Sequence, residues 1–253
     1  MMDFGDEFKG KRVVVTGAAG IMGKALVSHF SKAGADVCSA DQSTEGLNGF
    51  AIAADLTTDE GLDTILEQVK QKWGAPDVVV NNAAIYPSSF LLDMNVADWD
   101  RIMAVNVRAP FVLMRGFSLQ MIERKVKGNF INISSGAARK MRRTAVTYSM
   151  SKTALDRMTK GFAVELAEYG IRVNCLEPGF AAGSQVSSLS QEHIDRVMSA
   201  IPLGTETGAE DVGQAALYLA SQAAKNITGT SLAVDGGNSA GTMDVYQSKK
   251  SAL

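Results

Sequence analysis

The 253-residue chain predicts an α/β protein built on a doubly wound parallel sheet of about seven strands, with helices on both faces. Three observations carry that prediction. Short runs of β-branched and apolar residues recur without polar alternation, as strands buried on both faces require. Helical patterns separate these runs, supplying the crossovers that parallel neighbours need. A Gly-rich turn, Gly17 to Gly23, joins the first run to the first helical pattern.

With 46% hydrophobic and 21% charged residues, the chain is long enough to bury one large core. No linker or internal repeat divides it, so one domain is expected over 1–253, with its core at about 11–238 and a polar tail over 239–253. A net charge of -2 gives no general attraction to nucleic acid or anionic membranes. The opening MMDFGDEFKGKR lacks an apolar signal segment, and no run approaches 18 apolar residues, so no membrane span is expected. Cys38 and Cys175 sit in apolar runs, ADVCSA and IRVNCLEP, and read as buried free thiols in a reducing cytoplasm. His29 and His193 are too few and too isolated to suggest a metal site.

Arg12 to Thr16 (RVVVT) is a central-strand run, and it enters GAAGIMG and then the helical KALVSHFSKAG. Such a turn builds a phosphate site: glycine lets the backbone approach a pyrophosphate, and the helix N-terminus offers free N–H groups to it. An ordinary strand-to-helix turn is the plainer alternative. The second strand, Ala35 to Ala40, ends at Asp41, 18 residues after Gly23. That is close to the spacing at which an acid meets the adenosine ribose of a dinucleotide. A carboxylate there would repel a 2′-phosphate, and QSTEGLN brings no Lys or Arg to offset it, so NAD(H) is expected over NADP(H). A surface-turn Asp is the alternative.

Phe50 to Ala54 is a third strand leading to Asp55-Leu56, and Thr57 or Thr58 can cap a helix running to Trp73. Asp77 to Asn81 is a fourth strand, followed by Asn82 and by two small residues, Ala83 and Ala84, which leave room for a flat ligand. Tyr86 and Pro87 come next, as pocket wall or as loop packing. From Ala97 to about Lys125 the pattern is helical. Pro110 within it has no N–H, so the carbonyl of Asn106 loses its helical partner and is free to hold a water, or the helix simply kinks.

Asn129 to Ile133 is a fifth strand that delivers Ser134 and Ser135. Tyr148 follows Ser135 by thirteen residues, and Lys152 stands four later, on the same helix face. A phenol is a poor base at neutral pH, and a nearby ammonium favours its phenolate. Together these groups could move a proton on and off an oxygen. Taken alone, the Tyr–Lys pair also fits a solvated helix face. The helix runs to about Tyr169, with Gly170 as its stop. Ile171 to Leu176 is a sixth strand ending in Glu177-Pro178-Gly179. The small polar stretch from Phe180 to about Leu203 has the composition of a lid. Ala209 to Gln222 is a last helix, and Ser231 to Val234 a last strand closing in DGG.

The chain resembles the short-chain dehydrogenase/reductase family, in its single-domain form of about 250 residues, from about Lys11 to Asn238. The resemblance rests on TGAAGIMG, Asp41, Asp55-Leu56, NNAA, Asn106, the Ser135–Tyr148–Lys152 set, Pro178-Gly179 and VDGG, in that order. It implies a Rossmann fold that binds a nicotinamide dinucleotide, a homotetramer, and an active tetrad of Asn106, Ser135, Tyr148 and Lys152. By position it implies cofactor contacts at Gly17, Gly20, Ile21, Met22, Gly23, Asp41, Asp55, Leu56, Asn82, Ala83, Ala84, Tyr148, Lys152, Pro178 and Gly179. Tyr148 would be the general acid–base and Ser135 would polarise the substrate oxygen. Lys152 would lower the Tyr148 pKa and hold the nicotinamide ribose, and Asn106 would anchor a water beside it.

Three departures from the family pattern stand out. Ile21 takes the place of the usual middle glycine, which sits instead at Gly20. Gly183 stands where a Thr is common, with Ser184 next. Arg139, Lys140, Arg142 and Arg143 follow Ser135, where small apolar residues are usual. Arginine forks suit carboxylates and phosphates, so Tyr86, Arg142 and Arg143 are the substrate candidates and an anionic small molecule the candidate substrate. A solvated loop, or pairing across a subunit interface, is the alternative. The leading expectation is a dehydrogenase that moves a hydride between NAD(H) and a secondary alcohol or ketone. A 3-oxoacyl thioester reductase and a non-catalytic nucleotide sensor are the rivals.

Overall fold

The computed structural model describes residues 4–181 and 190–241. Gly183, Ser184, much of the expected lid and the tail beyond residue 241 lie outside them. Seven strands form one parallel sheet: β1 Arg12–Thr16, β2 Asp36–Asp41, β3 Phe50–Ala53, β4 Val78–Asn81, β5 Asn129–Ile133, β6 Arg172–Pro178 and β7 Ser231–Val234. Their order is β3-β2-β1-β4-β5-β6-β7. Strand order reverses between β1 and β4, which opens a crevice at their C-terminal ends, the usual ligand position of such sheets.

Among the described residues the α-helices are α1 Ile21–Lys32, α2 Asp59–Trp73, α3 Val96–Met103, α4 Ala109–Glu123, α5 Val146–Leu166, α6 Gln191–Ser199 and α7 Ala209–Ala220. The valines of β1 show why its sequence does not alternate. Val13 and Val15 pack into the core beneath α1 and α7, and Val14 packs on the opposite face with residues of α2 and α4. The expected caps form: Thr58, rather than Thr57, accepts the Gly61 N–H at 3.0 Å, and Gly170 ends α5 and a following 3₁₀ turn with φ +70°. At the far end of the sheet Arg12 holds Asp77 through Nε at 2.7 Å and a second guanidinium nitrogen at 3.0 Å, fastening β1 to β4.

One expected helix is broken. Between α3 and α4 the chain makes a π turn over Ala104–Arg108, in which the Ala109 N–H bonds the Ala104 carbonyl five residues back. Pro110 has no N–H for the Asn106 carbonyl, so the ladder cannot continue in α register there, and the chain inserts a wider turn. Among the described residues the stretch 96–123 is long and apolar enough, by length and composition alone, to cross a membrane. Asp98, Asp100, Arg101, Arg108 and Arg115 break it into short apolar runs, which hid its length in the sequence. Here Leu113, Met114, Phe117 and Met121 from this stretch fill the core under the sheet.

His29 is a buried core residue. Its Nδ1 lies 2.8 Å from the Ala25 carbonyl, and its Nε2 lies 3.0 Å from the Glu210 carboxylate at the start of α7. A Cβ at Gly213 would stand 2.4 Å from the His29 ring, so glycine is what lets α7 approach α1. Cys38 and Cys175 are buried free thiols, and burial pushes both up to about 12.

Candidate active site

The crevice at the reversal point is a cleft of about 790 Å³. Its floor begins at the turn after β1. Gly17 has φ +64°, and a Cβ on it would fall 2.8 Å from the Ala83 Cα. Asn82 fixes that approach: its Nδ2 donates to the Thr16 carbonyl at 2.9 Å and the Gly17 carbonyl at 3.0 Å. Gly20 precedes α1 with no side-chain cap, and the first turn of α1 carries no acid, so its N–H groups open into the cleft. Gly17, Gly20, Ile21, Met22 and Gly23 all line it. Gly20 caps α1 in an extended conformation, which answers the displaced glycine of the sequence motif. Ile21 stays 42% exposed as an apolar rim.

Asp41 lines the same cleft at the end of β2. Its carboxylate accepts the Ala19 N–H at 2.9 Å and the Gln42 N–H at 2.7 Å, so it also tethers the Gly turn. Leu56, Asn82, Ala83 and Ala84 form the adjoining wall, and Pro178 and Gly179 close the far side. Gly179 is required there because a Cβ would meet Asp235 and Thr207 at 2.6 Å. Two expected residues stand outside this cleft. Asp55 lines a smaller neighbouring cleft of about 380 Å³, and one carboxylate oxygen is engaged by the Thr57 N–H and hydroxyl at 2.9 and 2.8 Å. Those hydrogen bonds hold its pKa below the usual carboxylate range.

Asn106 also lies behind the wall. Its Oδ1 accepts the Ile85 N–H at 2.9 Å, and its Nδ2 donates to the Ile85 carbonyl at 3.0 Å and to Ser151 at 3.1 Å. It therefore fixes the loop after β4, a role its motif position did not announce. Arg101 was also missed. It lines both clefts beside Gln42, sixty residues beyond the turn whose lack of basic residues was read as unopposed, and its charge reaches Asp55. No local spacing links Arg101 to Asp41; only the placement of α3 does.

Ser135, Tyr148 and Lys152 all line this cleft. Ser135 is held in extended backbone before a 3₁₀ turn, its Oγ accepting the Ala137 N–H at 3.1 Å. Burial pushes the Tyr148 phenol above its usual range; the hydrogen bond with Ser135 pulls it back, Tyr86 adds to the rise, and the charge of Arg142 lowers it. The Tyr86 ring meets the Tyr148 ring edge-on at 4.6 Å, which makes Tyr86 a cleft wall. Lys152 is 2% exposed, donates to the Ile133 carbonyl at 2.8 Å, and lies 5.7 Å from the Tyr148 ring centroid. Burial pushes this ammonium down to about 8. Ser135 and Arg142 thus favour the phenolate, while Lys152 stands beside the ring with its ammonium donating to Ile133.

The basic run after Ser135 divides in two. Arg139 donates from Nε to Glu177 at 2.6 Å, covering a carboxylate whose pKa burial raises, and Lys140 donates to the Asn238 carbonyl. These two hold the sheet edge together. Arg142 and Arg143 line the cleft, and Arg143 lies over the Phe90 ring at 5.5 Å.

The cleft suits a dinucleotide by shape: two glycines that tolerate no Cβ, an uncapped helix N-terminus and an acid at the next strand end sit along one wall. Known proteins agree. A family model described as enoyl-(acyl carrier protein) reductase matches residues 17–239. The 3-oxoacyl-[acyl-carrier-protein] reductase of Thermotoga maritima is 33% identical over 241 residues, covering 90% of this chain and 98% of its own. The solved 3-ketoacyl-(acyl-carrier-protein) reductase of Brucella melitensis, complexed with NADH, has a TM-score of 0.83 at 29% identity, covering 92% of this chain and 99% of that one. A gluconate 5-dehydrogenase of Burkholderia cenocepacia, in complex with NADP and tartrate, has a TM-score of 0.85 at 27% identity, covering 93% and 98%. The chain belongs to the short-chain dehydrogenase/reductase family and is an oxidoreductase with a Rossmann fold.

Proposed function

We propose that the chain is an NAD(H)-dependent dehydrogenase that interconverts a small secondary alcohol and its ketone, with Tyr148 as general acid–base. The observation that carries this reading is the meeting of Ser135, Tyr148 and Lys152 in the cleft that begins at the Gly turn. A nicotinamide dinucleotide held along Gly17–Gly23, Asp41 and Ala83–Ala84 supplies or accepts the hydride. In oxidation the substrate hydroxyl gives its proton to the Tyr148 oxygen as its carbon gives up a hydride and the carbon–oxygen bond becomes double; reduction reverses both transfers. Ser135 orients the substrate oxygen through its own hydroxyl, in the same cleft as the Tyr148 phenol. Lys152 holds the ribose end and exchanges the proton onward. Proton transfer by a placed side chain contributes about 10²–10⁴-fold.

NAD is favoured because a carboxylate at Asp41, at the end of β2 and lining the cleft, would repel a 2′-phosphate, although Arg101 in the same cleft would reduce the repulsion. Relatives are seen with either cofactor, NADH in one and NADP in another. A 3-oxoacyl thioester reductase is the second reading, supported by the Thermotoga relative. The gluconate dehydrogenase likeness and the Arg142–Arg143 pair support an anionic small-molecule substrate for this chain.

The family resemblance favours a homotetramer. Exposed Phe111 and Leu119 on α4 and Val164 on α5 support an assembly of copies. The buried free thiols support a cytoplasmic setting. The test is a spectrophotometric screen of alcohols and ketones with NAD(H) and NADP(H) in parallel. Turnover with NAD at least about tenfold better in kcat/KM is expected, a difference of roughly 1.4 kcal/mol. NADP preference would overturn the reading of Asp41.

A further inference from the structure

We infer that the cleft recognises a compact hydroxy or keto acid, and that Arg142 grips its carboxylate beside the reacting carbon. This rests on the proposed reading of Tyr148. The first ground is the division of the basic run. Arg139 and Lys140 are engaged within the chain, whereas among the described residues no carboxylate lies within ion-pair distance of Arg142 or Arg143. Both guanidinium groups nonetheless border the cleft that holds Ser135 and Tyr148. A guanidinium at the edge of a cleft, with no protein anion to meet it, is suited to a ligand carboxylate.

The second ground is how that edge is held. Thr144, directly after the pair, has φ +65°. A β-branched residue rarely adopts this conformation. The neighbouring loop maintains it. The Thr144 carbonyl accepts the Ser89 N–H at 3.1 Å and the Ser88 hydroxyl at 3.3 Å. Phe90 on that same loop lies under Arg143 at 5.5 Å. The segment after Ser135 and the loop after Tyr86 are thus fastened into one wall. A loop that only needed to stay solvated would have no use for this strain.

The third ground is distance along the substrate. Arg142 is near enough to Tyr148 for its charge to favour the phenolate. Tyr86, edge-on to Tyr148 at 4.6 Å, belongs to the same cleft wall. Arg142 and Tyr148 line the same cleft, so one compact substrate can meet both. A carboxylate on a short hydroxy acid meets that condition. The phosphate of an acyl carrier does not, because a whole pantetheine arm separates it from the reacting carbonyl. The chemistry is balanced as before: the acid's carbinol loses a hydride to NAD and its hydroxyl proton to Tyr148, leaving a keto acid.

The test is a panel of three- to six-carbon hydroxy acids, each assayed beside its neutral primary amide, with the wild-type protein, Arg142→Ala and Arg142→Lys. At least one acid should exceed its amide by about 100-fold in kcat/KM, the scale of a charged hydrogen bond. Arg142→Ala should remove about 10- to 100-fold of that advantage, chiefly through KM, and Arg142→Lys should restore part of it. The amide's kcat/KM should fall by much less than the acid's, through the Tyr148 phenolate that Arg142 favours, and the Kd of NADH should stay near wild type in both variants. Amides that match the acids, or an Arg142→Ala loss shared equally by acid and amide, would overturn the inference. Turnover confined to neutral alcohols would do so while leaving the proposed hydride transfer intact. Failure of every alcohol and ketone, charged or neutral, would bring down the reading of Tyr148 itself.

Discussion

Gly23 packs so close to Gly17 that a Cβ on Gly23 would fall 2.0 Å from the Gly17 carbonyl oxygen. At Gly20 the same added atom would sit 3.5 Å from that oxygen, an ordinary contact. The two glycines of one motif therefore do different things. Gly23 sets the closeness of α1 to the turn, and Gly20 caps the helix in a conformation open to other residues. Gly23→Ala should cost about 1–3 kcal/mol through overpacking. Its thermal midpoint should drop by several degrees, and NADH affinity should fall with it. Gly20→Ala should leave the midpoint close to wild type, so any change in its NADH affinity reports on the ligand's approach. Calorimetry with NADH fluorescence titration separates the two; equal midpoints would refute the assignment.

Sequence reading reached the sheet because each strand is short, apolar on both faces and followed by a helix, so that Val13 to Val15 alone implied burial on two sides. It reached Ser135, Tyr148 and Lys152 because a strand end and an i,i+4 helix spacing are local rules. What escaped it depends on long-range placement. Arg101 reaches the Asp41 end of the cleft only through the position of α3, and Asn106 grips Ile85 only because the π turn faces the loop after β4. The basic run looked uniform in sequence. Its division needed the buried Glu177 on β6 and the Asn238 carbonyl beyond β7, neither near it in the chain.

Asn106 offers a test of side chain against backbone. The carbonyl that Pro110 leaves without an α-helical donor survives in Asn106→Ala, whereas the three hydrogen bonds to Ile85 and Ser151 do not. If Asn106 acts chiefly through its carbonyl, the variant should behave as wild type. The buried geometry argues otherwise, since it leaves the Ile85 N–H and C=O without these partners, at about 1–3 kcal/mol. The expected outcome is a lower midpoint and faster amide hydrogen exchange over residues 83–88, with a fall in kcat. Unchanged exchange there would show that the side chain does not hold the loop.

Tyr148→Phe removes one oxygen and keeps the ring that packs on Tyr86. Turnover should fall by at least about 10²-fold, the lower range for losing a general acid–base, while NADH binding stays within about twofold. Ser135→Ala should lower kcat less, because the phenol remains, though its pKa should rise further once the Ser135 hydrogen bond is gone. The matching observation is a shift of the pH–rate profile for oxidation toward higher pH. Full activity in Tyr148→Phe would eliminate it as the proton carrier.

Lys152 links the site to stability. Burial holds its folded-state pKa at about 8, against an ordinary value of 10.5. Below pH 8 the ammonium is charged in both states, and the folded chain carries the full cost of burying it. Above 10.5 it is neutral in both states and the cost is gone. Its contribution must therefore become more favourable as pH rises through that window, since the unfolded chain binds more protons there. The gap corresponds to about 3 kcal/mol across the window. Lys152→Met removes the titrating group and the hydrogen bond to Ile133, which adds an offset that does not vary with pH. Denaturant titrations of the cofactor-free protein and this variant at pH 7, 8.5 and 10 should show the wild type gaining on the variant at each step. Other groups titrate alike in both proteins and cancel in the difference. A constant difference across the three pH values would mean that the Lys152 pKa is not depressed in the folded chain.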